Sequence, residues 1–273
     1  MASQPIPVEK YEAIYRDWEA RTDLGPHIRR HLEERVRYHA MLDRALASLP
    51  AGARCLELGC GTAIDSCILA RRHPGIVFCG VDIARGSLAL ARRAAEQTGQ
   101  KVHPARGDVF RLPFRTGCFS LVFHQGLAEH FPDPTGMMRE QERLLAPGGW
   151  AVISVPQAFT GYTVMKRIQI LRGRWPWGWE RSYTAGALEA LGRGSGLIPG
   201  ERAGEGYWRS WGEPAWVLRD LCGKLHRRNP WRAGAPFASL DRAWEALWRG
   251  LEARLGHRFC KSVIMCFRKP GRG

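Results

Sequence analysis

The sequence predicts an α/β chain: a mostly parallel sheet with helices on both faces, extra helices before it, and a helical insert after it. Three observations predict this. From Arg54 onward, short apolar runs alternate with helical stretches, the pattern of a sheet whose crossovers are helices. The first run ends in a glycine-containing turn, Glu57 to Ala63, and the second ends in an acid, Asp82. Before Arg54 and after Pro156 the alternation is missing.

In chain order, residues 9–49 place Ile14, Trp18, Leu32, Val36, Met41, Leu42 and Leu46 at helical spacing among charges, interrupted near Gly25-Pro26. Two or three helices are expected there. Pro50-Ala51-Gly52 punctuates the chain. Strand-like runs then follow at Arg54 to Leu58, Ile76 to Val81, weakly near Val102, at Phe119 to His124 and at Trp150 to Val155. Helical stretches fall at Ile64 to Arg72, Ala84 to Thr98 and Thr135 to Leu145. Beyond Pro156, helical pieces are expected at Thr184 to Leu191, Pro214 to His226 and Leu240 to Leu255, and a last strand at Phe259 to Phe267. The division expected is a helical cap (1–50), a ligand-binding core (51–156), a variable lid region (157–258), and a final strand with tail (259–273).

Composition excludes several classes. With 45% hydrophobic and 25% charged residues the 273-residue chain can bury a core, and its apolar runs are too short to span a bilayer. No transmembrane helix or secretory leader is expected, which gives the cytoplasm as default address. The eight cysteines include no CxxC pair, so they read as reduced core residues, and no metal site is expected. Charge is uneven: residues 1–155 carry 20 basic and 17 acidic side chains, residues 156–273 carry 21 and 9. Nine of the eleven tryptophans share that basic half, with Trp244 and Trp248 at the spacing of a helix's core face. An arginine-rich compositional bias explains the charge as well as attraction to a membrane surface, a polyanion or a phosphorylated substrate does.

Glu57-Leu58-Gly59-Cys60-Gly61-Thr62-Ala63, with Asp82 following Gly61 by 21 residues, has the layout of a nucleotide site. The glycines admit a ligand close to the backbone, and the acid can accept both ribose hydroxyl protons. A dinucleotide fingerprint would need glycine at 64, where Ile64 stands. Together with Gly107 to Phe114, Phe119 to Phe131 and Leu144 to Pro156, these blocks resemble the class I S-adenosylmethionine-dependent methyltransferases of the ubiquinone/menaquinone-biosynthesis-like group. The resemblance covers a little over a third of the chain. It implies a Rossmann-like, seven-stranded sheet with the last strand antiparallel, and S-adenosylmethionine as cofactor.

Carried over by position, the resemblance puts Glu57, Gly59, Cys60 and Gly61 around the cofactor's methionine part and Asp82 with Ile83 at its ribose. It puts Asp108 near the adenine amino group with Val109 against the ring, and His124 and Gln125 beside the sulfonium. Ala63 departs from the group, many of whose members carry a third glycine there. Transfer of a methyl group needs chiefly alignment, with a base where the acceptor is a hydroxyl or acidic carbon. His130 and His124 flank the loop after the fourth strand and are the candidate bases. The expected acceptor is a small, hydrophobic metabolite or lipid-linked precursor, methylated on oxygen or carbon and selected by residues 157–258 together with the N-terminal helices. RNA or protein methylation and a non-catalytic cofactor-binding scaffold are the alternatives. Nucleic acid ranks low, because His124-Gln125-Gly126-Leu127 stands where a base-nitrogen methylation loop would lie. The sequence indicates no oligomeric state.

Overall fold

A computed structural model of the chain describes residues 7–19, 23–206 and 250–271. Three helices come first: α1 (Val8–Glu19), α2 (Gly25–Glu34) and α3 (Val36–Ala47). The alternating part runs β1 (Arg54–Leu58), α4 (Ile64–Arg72), β2 (Val77–Asp82), α5 (Arg85–Thr98), β3 (Val102–Arg106), β4 (Phe119–Gln125), α6 (Thr135–Leu144) and β5 (Leu145–Pro156). After it come α7 (Gly161–Leu171), α8 (Ala185–Gly194), β6 (Ile198–Glu205), a helix α9 over residues 250–259, and β7 (Ser262–Arg268).

The seven strands form one sheet in the order β3-β2-β1-β4-β5-β7-β6. Pairings from β3 to β5 are parallel, and β7 runs antiparallel to both β5 and β6. The alternation of side chains across β1 explains the two-sided core: Cys55 joins the cluster under α3, α4 and α5, while Leu56 and Leu58 join the one under α6 and α8. Strand order reverses between β1 and β4. Open sheets of this kind bind ligands in the crevice outside the carboxyl ends of the strands at such a reversal.

Two elements depart from the sequence expectation. α7 was not expected, since its apolar positions are interleaved with Lys166, Arg167 and Gln169; Thr160 caps it, its hydroxyl oxygen accepting from the Thr163 N–H. β6 was not expected either: Ile198–Glu205 holds Pro199, Gly200 and three charges and has no apolar alternation. It forms because it is the sheet edge, pairing only with β7 and slipping register between Pro199 and Arg202, where proline is tolerated. β5 starts five residues before the expected Trp150. The pieces expected at Pro214 to His226 and at Leu240 to residue 249 lie outside the described residues, as do Trp244 and Trp248. Among the described residues, no helix is long and apolar enough to cross a membrane, and no cluster of three metal-ligating side chains is present. The seven described cysteines are all free.

Candidate active site

At the strand-order reversal, the β1–α4 loop takes three left-handed residues in alternation: Gly59 (φ 58°), Gly61 (φ 52°) and Ala63 (φ 51°). The geometry at position 63 therefore asks for the glycine that the sequence lacks. Ala63 adopts it at a steric cost of about 1–2 kcal/mol, and its methyl is fully buried. The loop is roofed on both sides. A Cβ at Gly59 would stand 2.7 Å from Leu127, and one at Gly61 2.9 Å from the Tyr15 hydroxyl of α1.

Asp82, the last residue of β2, faces this loop. One carboxylate oxygen accepts from the Gly61 N–H and the other from the Ala84 N–H, each at 2.9 Å. Burial raises its pKa, and those backbone bonds oppose the shift. Each oxygen keeps a lone pair, so the carboxylate can still accept hydroxyl protons while it holds the loop closed.

Glu57 borders the same space but is tied to α4, accepting from the backbone N–H and the hydroxyl of Ser66. Burial, with Asp65 nearby, pushes it up to about 8. Asp65 is buried too and binds Arg35, His31 (3.2 Å) and His39 (2.9 Å). Burial alone would raise it, yet Arg35 and His31 hold it well below the usual carboxylate range. This cluster docks α2 and α3 against α4. It brings His31 and Arg35 to the cavity wall beside Arg30 of α2; the two guanidiniums are cations suited to an amino-acid carboxylate, whereas burial lowers the pKa of His31 and favours its neutral ring. Sequence reasoning missed His31 and Arg35 because their partner, Asp65, lies 34 and 30 residues away in the chain.

These groups line a cavity of about 1100 Å³. Pockets for a drug-sized ligand span ~300–1,000 Å³, so this one has room for a nucleoside cofactor and a second molecule. Cys60, Ile83, Asp108, Val109 and Gln125 line it as well. The Asp108 carboxylate accepts from the Phe110 N–H at 3.0 Å, shaping its own turn while facing the cavity. The buried side-chain oxygen of Gln125 finds no hydrogen-bond partner among the described residues. A glycine cradle, a carboxylate with spare lone pairs, nearby cations and this orphaned acceptor fit the S-adenosyl group.

His124 is a correction. Its ring is fully buried on the β4 face, borders no part of the cavity, and has both nitrogens without a hydrogen bond among the described residues. Burial drives it down to about 3. It can neither reach nor deprotonate an acceptor. Alternation along β4 sends His124 to the opposite face from its neighbour Phe123, and only Gln125 reaches the rim.

Beyond Gln125 a 3₁₀ turn (Ala128–His130) presents Glu129 and His130 to the cavity. The His130 ring meets Tyr11 edge-on (centroids 5.9 Å) and lies 6.4 Å from Trp177, with Nδ1 3.9 Å from Glu180. Burial lowers its pKa. Glu180 pairs with the fully buried Lys166 (3.1 Å) and accepts from Trp175 Nε1 (2.9 Å). Tyr11, Tyr162, Met165, Trp175 and Trp177 line this end with aromatic and sulfur surface.

Comparison with known proteins agrees with this geometry. The profile described as "Methyltransferase domain" matches residues 56–153. A demethylmenaquinone methyltransferase of Thermus thermophilus is 38% identical over 41% of this chain and 50% of its own length, so the chain spans half of that relative. Ubiquinone biosynthesis O-methyltransferases of Bordetella avium (31% identical, 59% of this chain, 69% of the relative) and Cereibacter sphaeroides (30%, 73% and 85%) match more of their length. Among solved structures, a putative sarcosine dimethylglycine methyltransferase from Galdieria sulphuraria (TM-score 0.55, 19% identity, 86% and 84% coverage) shares the fold. So does the [4+2]-cyclase SpnF (TM-score 0.57, 22% identity, 86% and 81% coverage), a reminder that the fold alone does not fix the reaction. With the loop, the acid and the relatives agreeing, the chain belongs to the class I S-adenosylmethionine-dependent methyltransferases of the ubiquinone/menaquinone-biosynthesis group, whose cofactor is S-adenosylmethionine.

Proposed function

We propose that this protein methylates an oxygen, or an activated carbon, of a small hydrophobic acceptor of hydroquinone or phenol type. The observation that carries the reading is the two-part cavity. One end has a glycine loop, Asp82 and cations; the other has aromatic walls with two ionisable groups, Glu129 and His130, at its rim. In this reading Gly59, Cys60, Gly61 and Glu57 border the methionine part, Asp82 and Ile83 the ribose, Asp108 and Val109 the adenine, and Gln125 the sulfonium. The cofactor supplies an electrophilic methyl carbon. The protein's contribution is alignment of the acceptor atom with it, and removal of a proton. Calorimetric titration should give binding of S-adenosylmethionine and of S-adenosylhomocysteine but not NAD, followed by turnover with a member of a panel of phenols, quinols and lipid-linked analogues. Cofactor binding without turnover of any panel member would turn the reading toward a scaffold.

The address of the acceptor is part of the proposal. α7 turns an apolar stripe outward, with Val164, Ile168 and Leu171 exposed by 59, 43 and 88%, beside Arg167, Arg172 and Arg174. Such a face suits peripheral contact with an anionic bilayer, from which a greasy acceptor could reach the inner face of the same helix. Binding to phosphatidylglycerol vesicles, weakened by salt and by Leu171→Asp, is the expected result. Equal recovery with neutral vesicles would remove the anionic attraction from the account, and recovery with neither would remove the membrane.

A further inference from the structure

We propose that Glu129, rather than either histidine beside that turn, is the group that takes the proton from the acceptor's hydroxyl. The inference rests on the hydroxylated-acceptor reading above and names a residue for it.

The turn that carries Glu129 is held from outside. The Arg181 N–H donates to the Glu129 carbonyl (2.9 Å) and the Tyr183 hydroxyl to the Ala128 carbonyl (3.1 Å). The side chain is only 3% exposed and borders the cavity. One carboxylate oxygen lies over Gly126, 3.5 Å from where a Cβ would stand. The other, Oε2, is buried with no hydrogen-bond partner among the described residues. An unsatisfied buried acceptor costs about 1–3 kcal/mol. Gln125 Oε1 and His130 Nδ1 are likewise without a partner on this wall among the described residues, His130 Nδ1 standing 3.9 Å from Glu180, and a donor arriving in the cavity is what would satisfy Glu129 Oε2.

The groups facing Glu129 set its proton affinity. They are Tyr11 of α1, Lys166 of α7, Glu180 and Tyr183 from the segment after α7, and His130 on the same turn. Burial first, and Glu180 second, push Glu129 up to about 8, with Lys166 opposing. His130 is moved the other way: burial lowers it, Lys166 adds to that, and Glu180 only partly offsets it. A base works best when its pKa lies near the working pH. Glu129 meets that condition, whereas His130 has been made a weaker base.

In the step, the acceptor's O–H bond breaks and its proton goes to Glu129 Oε2. The oxygen forms its new O–CH₃ bond as the S–CH₃ bond breaks, the bonding pair staying on sulfur. A neutral ether, a neutral thioether and a protonated carboxyl result, and Glu129 returns its proton to solvent. Since the carboxylate is the active form, turnover should rise with pH and level off above about 8.

The test measures S-adenosylhomocysteine formation from a catechol or hydroquinone acceptor across this range, in wild type, Glu129→Gln and Glu129→Asp, with cofactor affinity measured alongside. Glu129→Gln should lose on the order of 10²–10⁴-fold in turnover and the pH limb with it, while cofactor affinity stays within about threefold; Glu129→Asp should keep the limb at reduced rate. Infrared difference spectra of wild type against Glu129→Gln should show a protonated carboxyl band that disappears as pH rises through about 8. A Gln variant that keeps both rate and pH limb, or a band lost already in the ordinary carboxylate range, overturns the assignment. Wild type that binds cofactor and methylates no hydroxylated acceptor overturns the acceptor reading, and the base with it.

Discussion

Asp82→Ala is expected to weaken S-adenosylmethionine binding by about ten- to a hundredfold. The range follows from the loss of hydrogen bonds to a charged acceptor, about 1.5–3 kcal/mol, at 1.4 kcal/mol per tenfold. The structure gives the substitution a second cost. Asp82 holds the Gly61 and Ala84 N–H groups at 2.9 Å, so alanine leaves both donors unpaired at a buried position. The β1–α4 loop is then free to leave its left-handed path. Asp82→Asn separates the two effects: its single carbonyl oxygen can satisfy only one of the two backbone donors, so it should fall between wild type and alanine. Calorimetric titration with S-adenosylmethionine and S-adenosylhomocysteine should show equal losses for both, since the ribose is common to them. Affinity within threefold of wild type in the alanine variant would place the ribose elsewhere.

Why Asp82 could be found from the sequence, and Glu180 could not, is a matter of range. The glycine turn and the acid that faces it belong to neighbouring strands of one βα unit, so their spacing of 21 residues is set by local geometry. β1, β2 and β4 were legible because largely buried parallel strands must be apolar runs, whereas β3, buried only at Val102, gave a weak signal. His124 misled because strand alternation, not sequence distance from the loop, decides which face a side chain takes. Glu129 was passed over beside a histidine whose ordinary pKa is near neutral; nothing in the local sequence says that burial inverts the two. Arg35, Lys166 and Glu180 owe their places to contacts across 14 to 30 residues of intervening chain. β6, polar and proline-bearing, exists only because β7 offers it an edge.

Lys166→Met tests the least legible part of the site. Lys166 is fully buried, with Nζ 3.1 Å from Glu180 and 3.4 Å from the Arg181 carbonyl. Glu180 in turn accepts from Trp175 at 2.9 Å, and the Arg181 N–H holds the turn of Glu129. One ammonium thus fastens α7 to the chain that roofs the acceptor end. Methionine matches its volume but strands the Glu180 carboxylate, and breaking a buried pair from one side costs about 3–5 kcal/mol. Denaturant unfolding should register this loss, and hydrogen exchange should locate it in residues 161–183. Replacing both partners, Lys166→Met with Glu180→Gln, should recover most of it, because no uncompensated charge is left. The single variant also removes the cation that lowers Glu129, so the alkaline limb of turnover should move to higher pH. A single variant within about 1 kcal/mol of wild type, below the range for a broken buried pair, would mean that Lys166 does not fasten α7 to this segment. The ion pair would then contribute little to stability, and the alkaline shift alone would report what Lys166 does for the site.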